Sequence, residues 1–101
     1  TFGHAIELKY NISHGRAVIM GMLQELEVAE KLKLTSASVK NNLEILLKSL
    51  GIKIDYRMRA EYKSVLHDKK LSGNQISLPV ILNEGKARIT KLNVDKLKIF
   101  L

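Results

Sequence analysis

The clearest helical signal of the chain is SHGRAVIMGMLQELEVAEKLKL, residues 13–34. Its apolar side chains recur every three or four positions, which is the period of one buried helical face. They are Val18, Ile19, Met22, Leu23, Leu26 and Ala29. Ser13 precedes the pattern, and its hydroxyl can accept a hydrogen bond from a free backbone N–H of the first turn. The stretch therefore predicts a helix from about His14 to Leu34, the strongest of the chain.

Two glycines, Gly15 and Gly21, lie inside this helical pattern. Glycine in a helix costs up to ~1 kcal/mol relative to alanine. A glycine kept at such a position indicates that another backbone or a ligand approaches closely. We therefore expect the helix to be contacted at one or both of these positions.

Other helices are predicted on both sides of this stretch. Phe2, Ala5 and Ile6 suggest a helix already under way at the first residues, so we expect further residues upstream. Capping residues and apolar spacing predict a third helix that starts at Thr35 or Ser36 and stops at Gly51. We also predict a fourth helix from Arg57 to Asp68 and a short last one from Asn93 or Asp95 to Leu101.

The residues between these last two helices predict strands. Ile76, Leu78, Val80 and Leu82 alternate, as do Ala87 and Ile89, around a turn at Asn83-Glu84-Gly85. This is the pattern of a small antiparallel hairpin, and Pro79 places its strand at an edge. The predicted fold class is mainly α, with about five helices and a small antiparallel β-hairpin near the C-terminus, in one domain.

Composition narrows the class of protein. The 101 residues suffice for one modest core, with 46% apolar and 27% charged residues. No apolar run approaches the ~18–20 residues that cross a bilayer, and the absence of cysteine excludes disulfides and thiolate metal sites. We expect a cytoplasmic protein without membrane contact.

The net charge of +7 comes from residues that are scattered along the chain. Scattered lysines and arginines are typical of a solvated surface, whereas clustered ones bind phosphate groups or nucleic acid. Only Lys69 and Lys70 form a tight pair. They follow Asp68 near a glycine turn, and two interpretations of them remain open. The two lysines either stabilise the end of the helix or bind a phosphate or carboxylate.

The three histidines are the candidates for metal chemistry. His14 stands at the start of the long helix, whose partial positive charge disfavours protonated imidazole, and a metal requires the neutral ring. An ordinary surface histidine is the alternative. His4 lies one turn before Glu7, a spacing suited to hydrogen bonding or proton transfer. A catalytic zinc has three protein ligands, and His67 is one local candidate for another.

The ordered motifs resemble one known family. Phe2-Gly3-His4-Ala5-Ile6-Glu7 and the following segment from His14 to Met22 resemble the dehydroquinate synthases, which carry Gly-His-x-x-Gly-His-Ala-Ile-Glu and then His-Gly-x-Ala-Val-x-x-Gly-Met. Further matches follow in order: Ala29-Glu30-Lys31-Leu32, then Asp68-Lys69-Lys70 with Gly73, then Ile76-Ser77-Leu78-Pro79-Val80 before Gly85. The resemblance covers essentially the whole chain.

The resemblance implies that the chain is the C-terminal helical domain of a two-domain enzyme of the shikimate pathway. The enzyme would hold NAD mainly in an absent N-terminal domain and a divalent metal, usually zinc, in the cleft between the domains. His14 would be a metal ligand, with Gly15 as its small neighbour. His4 would be a catalytic residue that helps proton transfer, and Lys69 or Lys70 would contact the phosphorylated substrate. A homodimer is a further expectation.

Some features depart from the family pattern. The first histidine of the paired motif, a metal ligand, would fall before Thr1, and a glutamate ligand is expected further upstream. The stretch between His4 and His14 is shorter than in many relatives, and Arg16 replaces an acidic or small residue. We expect the fragment alone to be inactive. The alternatives are a related sugar-phosphate cyclase, a metal-dependent polyol dehydrogenase, or a basic helical nucleic-acid-binding module.

Overall fold

The computed structural model describes residues 2–66, 71–72, 75–83 and 85–98. Within them it has five helices and a three-stranded sheet. In chain order these are α1 (Phe2–Tyr10), α2 (His14–Lys31), α3 (Ala37–Ser49), α4 (Tyr62–Leu66), β1 (Leu71–Ser72), β2 (Gln75–Asn83), β3 (Lys86–Asn93) and α5 (Val94–Leu97). The prediction of a mainly helical fold with a small antiparallel hairpin is confirmed.

The seam between α1 and α2 is the close contact of Gly21 with Gly3. A Cβ added to Gly21 would lie 2.5 Å from the backbone nitrogen of Gly3 and 2.7 Å from its Cα. The backbones of the two helices therefore meet where neither carries a side chain, as the glycine inside α2 predicted. This close approach lets α1 bury Phe2 and Ile6, both fully inaccessible to solvent, in the main core.

The same core collects residues from distant parts of the chain. Val28 of α2, Val65 of α4 and Leu97 of α5 are buried with the α1 side chains. All are aliphatic, and burial of such a side chain contributes roughly 1.5–3 kcal/mol. The short helices α4 and α5 are therefore held by packing, since helices of this length are not stable by themselves.

The ends of α2 and α3 follow the capping signals in the sequence. The Ser13 hydroxyl accepts a hydrogen bond from the Arg16 backbone N–H at 3.3 Å, which confirms the predicted N-cap. The predicted stop of the third helix is also confirmed, because Gly51 follows α3 with φ of 76°. Lys33 occupies the equivalent place after α2 with φ of 60°, a conformation that is unfavourable for a residue with a Cβ.

The fourth helix begins later than predicted. The prediction began it at Arg57, whereas α4 begins at Tyr62, and its predicted end lies outside the described residues. The segment before α4 instead forms a turn at Tyr56 and Arg57, where the Asp55 carboxylate accepts from the Arg57 backbone N–H at 3.0 Å. Further on, both backbone groups of Ala60 are bonded to a side chain of α2. Since the Ala60 N–H is used in this way, it does not take part in a helix that starts at Arg57.

The sheet is antiparallel with the order β1-β2-β3. Leu71 and Ser72 pair with the start of β2. Among the described residues, the remainder of β2 pairs with β3 alone, with a register irregularity between Ile81 and Asn83. The prediction of an edge strand is thus corrected, because β2 is the middle strand. Pro79 nevertheless lies beyond the two residues paired with β1, so its missing N–H interrupts no bond to that strand.

Among the described residues, no helix combines the length and apolar character needed to span a bilayer.

Candidate functional site

The candidate site lies where α1 turns into α2. Asn11, with φ of 52°, allows a tight three-residue connection between the two helices. The turn brings the last part of α1 against the first residue of α2. His14 Nδ1 lies 3.2 Å from one carboxylate oxygen of Glu7 and 3.4 Å from the other. The sequence placed His14 at the start of the long helix, and the structure confirms that position.

The two partners differ in exposure. The His14 side chain is 79% exposed, whereas that of Glu7 is only 29% exposed. The imidazole therefore projects into solvent, whereas the carboxylate that it contacts is mostly covered by the protein. Nδ1 faces Glu7, and the other ring nitrogen, Nε2, has no hydrogen-bond partner among the described residues. Such a nitrogen is a suitable ligand for a divalent metal.

His4 lies on the same side of α1, one turn before Glu7, and is exposed. Residues three apart on a helix are neighbours on its surface, so His4, Glu7 and His14 share one face of the α1–α2 corner. The predicted pairing of Glu7 with His4 is corrected, because the carboxylate bonds to His14. Spacing within one helix suggested the first pairing, and only the turn between the helices produces the second.

The glycines beside these histidines have different surroundings. A Cβ on Gly3 would lie 3.2 Å from the Ala17 carbonyl oxygen, so Gly3 is needed for the seam. A Cβ on Gly15 would meet nothing within 4 Å. Gly15 therefore leaves open space next to His14, and no packing within the described part of the chain requires it.

Charged groups surround this corner. The Arg57 guanidinium contacts the Asp55 carboxylate through two 3.0 Å bonds. Together with the Arg57 backbone N–H and the nearby charge of Arg16, it lowers the pKa of Asp55 to about 2. At the end of α1, Lys9 pairs with Glu61, and this hydrogen bond raises the pKa of Lys9. Asp55 and Lys9 are thus committed to structural pairs at neutral pH.

A buried amide joins α2 to the segment before α4. Gln24, 2% exposed, donates through Nε2 to the Ala60 carbonyl at 3.0 Å and accepts from the Ala60 N–H at 2.7 Å. One turn later, Glu27 accepts from Arg59 at 2.7 Å and from Lys31 at 3.2 Å. Burial alone would raise the pKa of Glu27, but these two bonds outweigh burial and lower it. The pattern of apolar residues in the sequence did not identify Gln24 as buried.

The cleft beside Gln24 is too small to hold a substrate. It is lined by residues of α2, Lys40 and the 54–59 segment, and encloses only about 10 Å³, which is the space of roughly one water molecule. None of His4, Glu7 or His14 lines it. The exposed corner of α1 and α2 remains the candidate site.

Three further predicted site residues lie outside the described residues: His67, Lys69 and Lys70. Within the described ranges, no group of three or more His, Asp or Glu side chains converges in a way that could hold a metal ion by itself. Among the described residues, the His14–Glu7 pair is thus not joined by a third side chain of this kind.

Known proteins resemble this chain in sequence and structure. The family described as 3-dehydroquinate synthase C-terminal matches residues 1–71. The 3-dehydroquinate synthases of Streptococcus sanguinis and Streptococcus gordonii are both 36% identical to it over 107 residues, and that of Streptococcus thermophilus is 34% identical. Each match covers 100% of this chain and 30% of the relative, so the chain spans under a third of the relatives' length.

A solved structure agrees at the level of the fold. The crystal structure of 2-deoxy-scyllo-inosose synthase complexed with carbaglucose-6-phosphate, NAD+ and Co2+ superposes with a TM-score of 0.73. The superposition covers 96% of this chain and 31% of that chain at 24% identity, and at this identity the likeness shows a shared fold only. On the strength of the sequence matches, the chain belongs to the 3-dehydroquinate synthase C-terminal family.

Proposed function

We propose that residues 1–101 are the C-terminal helical domain of a 3-dehydroquinate synthase. The parent enzyme would convert a seven-carbon phosphorylated keto acid (DAHP) to 3-dehydroquinate, with elimination of phosphate, in the shikimate pathway of aromatic amino acid biosynthesis. The observation that carries this proposal is the His14–Glu7 pair at the start of α2, in a chain of that family. Its exposed imidazole and supporting carboxylate suit a metal-dependent lyase.

The residues present fit a share in a divalent metal site. His14 offers Nε2 as a neutral nitrogen ligand, and imidazole suits zinc and related metals. The carboxylate behind the ring is the arrangement commonly found around metal-bound histidines. The other ligands would come from parts of the parent outside this chain. The metal, zinc in our proposal, would polarise an oxygen of the substrate and ease removal of its proton.

Two further positions would act on the substrate directly. His4 is exposed beside Glu7, and its imidazole would take up or deliver a proton at the substrate as a catalytic acid or base. Lys69 or Lys70 would bind an anionic group of the substrate, a phosphate or carboxylate, through a charge-assisted hydrogen bond. These assignments extend the family resemblance to the residues of this chain.

The remaining partners lie outside the chain. NAD would bind mainly to the N-terminal domain of the same enzyme, and no Gly-rich dinucleotide fingerprint occurs in these 101 residues. The enzyme would work in the cytoplasm, as a homodimer, with no membrane or nucleic acid as partner. By itself the 101-residue chain would be inactive, because it would lack the NAD site and the other metal ligands.

A related cyclase acting on another sugar phosphate is the second candidate, supported by the fold shared with 2-deoxy-scyllo-inosose synthase. The identities favour the first candidate. Relatives named 3-dehydroquinate synthase are 33–36% identical to this chain, against 24% for the inosose synthase. A polyol dehydrogenase and a nucleic-acid-binding module have no such support.

The test is release of inorganic phosphate by the parent enzyme supplied with NAD and zinc. We expect NAD-dependent release from the seven-carbon keto acid phosphate and none from a hexose 6-phosphate. The reverse preference would establish the second candidate. No release from either substrate would contradict both.

The same assay, combined with zinc titration, tests the role of His14. The variant His14→Ala should lose most of its zinc affinity and its activity. Glu30→Ala, which removes an exposed charge near the other end of α2, is the control and should retain both. Wild-type zinc affinity in His14→Ala would contradict the ligand assignment.

A further inference from the structure

We infer that Glu7 is a positioning residue that fixes the tautomer and orientation of His14, so that Nε2 is presented outward for the metal. This inference rests on the proposed metal-binding role of His14. The spacing along α1 paired Glu7 with His4, whereas the structure places its carboxylate against His14.

The hydrogen bond determines which ring nitrogen carries the proton. Both Glu7 oxygens lie near Nδ1, at 3.2 and 3.4 Å. An ionised carboxylate only accepts hydrogen bonds, so Nδ1 must donate. A neutral imidazole has a single N–H, and with that proton on Nδ1 the lone pair is on Nε2. The contact therefore selects the tautomer in which Nε2 binds a metal.

The exposure of the two side chains shows which one holds the other. Glu7 follows Ala5 and Ile6, which are buried in the core, and α1 is fixed against α2 by the contact of Gly3 with Gly21. The ring of His14, 79% exposed, has much less protein around it. Without the carboxylate, an exposed histidine would rotate among rotamers and exchange tautomers, so metal binding would first have to order it.

The open space beside the ring fits the same role. Gly15 has no atom within 4 Å of the position that a Cβ would take. The protein thus supports the ring from the Glu7 side and leaves the neighbouring surface accessible. If His14 served only to hold α1 against α2, that accessible surface would not be needed.

The test uses the full-length parent with the variants Glu7→Ala, Glu7→Gln and His14→Ala, and Glu30→Ala as a charge-matched control. Zinc affinity is measured by competition with a chelator. The tautomer of His14 in the metal-free protein is read from ¹⁵N–¹H correlations of the imidazole near pH 8, where an ordinary histidine is neutral. Thermal unfolding of each variant shows whether it folds.

We expect Glu7→Ala to weaken zinc binding by roughly 10- to 100-fold, the usual effect of removing a carboxylate behind a metal-bound histidine. The ring of His14 should change from the Nδ1–H tautomer to a mixture. Glu7→Gln keeps an acceptor oxygen without the charge and should lie between wild type and Glu7→Ala. Glu30→Ala should match wild type in both measurements.

The outcomes separate the two proposals. If His14→Ala keeps wild-type zinc affinity, the proposed metal site itself is wrong. If His14→Ala loses zinc while Glu7→Ala retains it, the metal site stands and the positioning role of Glu7 is overturned. An unchanged tautomer in a folded Glu7→Ala variant also overturns it, because a purely structural carboxylate would alter the unfolding temperature without affecting the ring.

Discussion

The glycine seam between α1 and α2 gives the sharpest prediction. In Gly21→Ala, the new Cβ would lie 2.5 Å from the backbone nitrogen of Gly3 and 2.7 Å from its Cα, where ordinary carbon contacts are about 3.5–4.0 Å. The obstacle is backbone, so no rotamer change relieves it, and α1 must move by roughly 1 Å. Gly15→Ala, in the same helix, meets nothing within 4 Å and is the matched control.

The two substitutions should have opposite effects on the free energy of unfolding. Alanine is favoured over glycine in a helix by up to ~1 kcal/mol, and Gly15→Ala should keep some of this gain. Gly21→Ala has the same gain, but overpacking of a core costs about 1–3 kcal/mol and occasionally more. Because the clash is with backbone, we expect a net loss of ~2 kcal/mol. For a domain of this size the loss corresponds to a melting temperature lower by roughly 8–16 °C.

The assay is thermal and urea unfolding of wild type and both variants, followed by circular dichroism. Movement of α1 would also separate Glu7 from His14, whose contact crosses the seam at 3.2 Å. Gly21→Ala should therefore weaken zinc binding by the parent enzyme. If Gly21→Ala is as stable as Gly15→Ala, the helices do not meet at these glycines and the described packing is wrong.

Three further outcomes follow from other contacts. Gln24→Leu should destabilise the chain by roughly 2–4 kcal/mol, because the buried Ala60 N–H and carbonyl would both lose their partner; urea unfolding that matches wild type would contradict this. Lys33→Gly should raise stability by about 1 kcal/mol, since the residue adopts φ of 60°, and an unchanged urea midpoint would refute it. The pKa of Asp55 falls from 3.8 to about 2 beside Arg57, so its contribution to stability is present above pH 3.8 and is lost as the pH falls towards 2. The urea midpoint of wild type should therefore exceed that of Asp55→Asn by a margin that grows between pH 2 and 4 and then stays constant. A margin that is constant from pH 2 upward would contradict the lowered pKa of Asp55.

Several helix ends could be predicted because their signals are local, although α2 ends at Lys31 and not at Leu34 as predicted. The Ser13 hydroxyl caps α2 by accepting from the N–H of Arg16, three residues later. Gly51 ends α3 because it adopts a positive φ. The start of α4 could not be predicted in this way. The side chain that bonds the backbone of Ala60 belongs to Gln24, 36 residues earlier, and no local pattern contains that contact.

The buried face of α2 shows the same limit. The apolar spacing predicted that Val18 lies inside, yet it is 40% exposed, whereas Met20 and Gln24 are buried at 3% and 2% exposure. A helix packed on several sides buries more than one stripe, and its partners decide which residues those are. Hydrophobic periodicity identified the helix but not its full set of contacts.

In the candidate site, the kinds of residue and their approximate places could be predicted from local signals. These signals set His14 at the first turn of α2, His4 on α1 and Gly21 at a close approach, because capping, periodicity and the cost of a helical glycine all act within a few residues. The contact of Glu7 with His14 is not among these local features. That contact exists because the α1–α2 turn and the seam of Gly3 on Gly21 fix two helices against each other, and such relative placement depends on packing of the whole core.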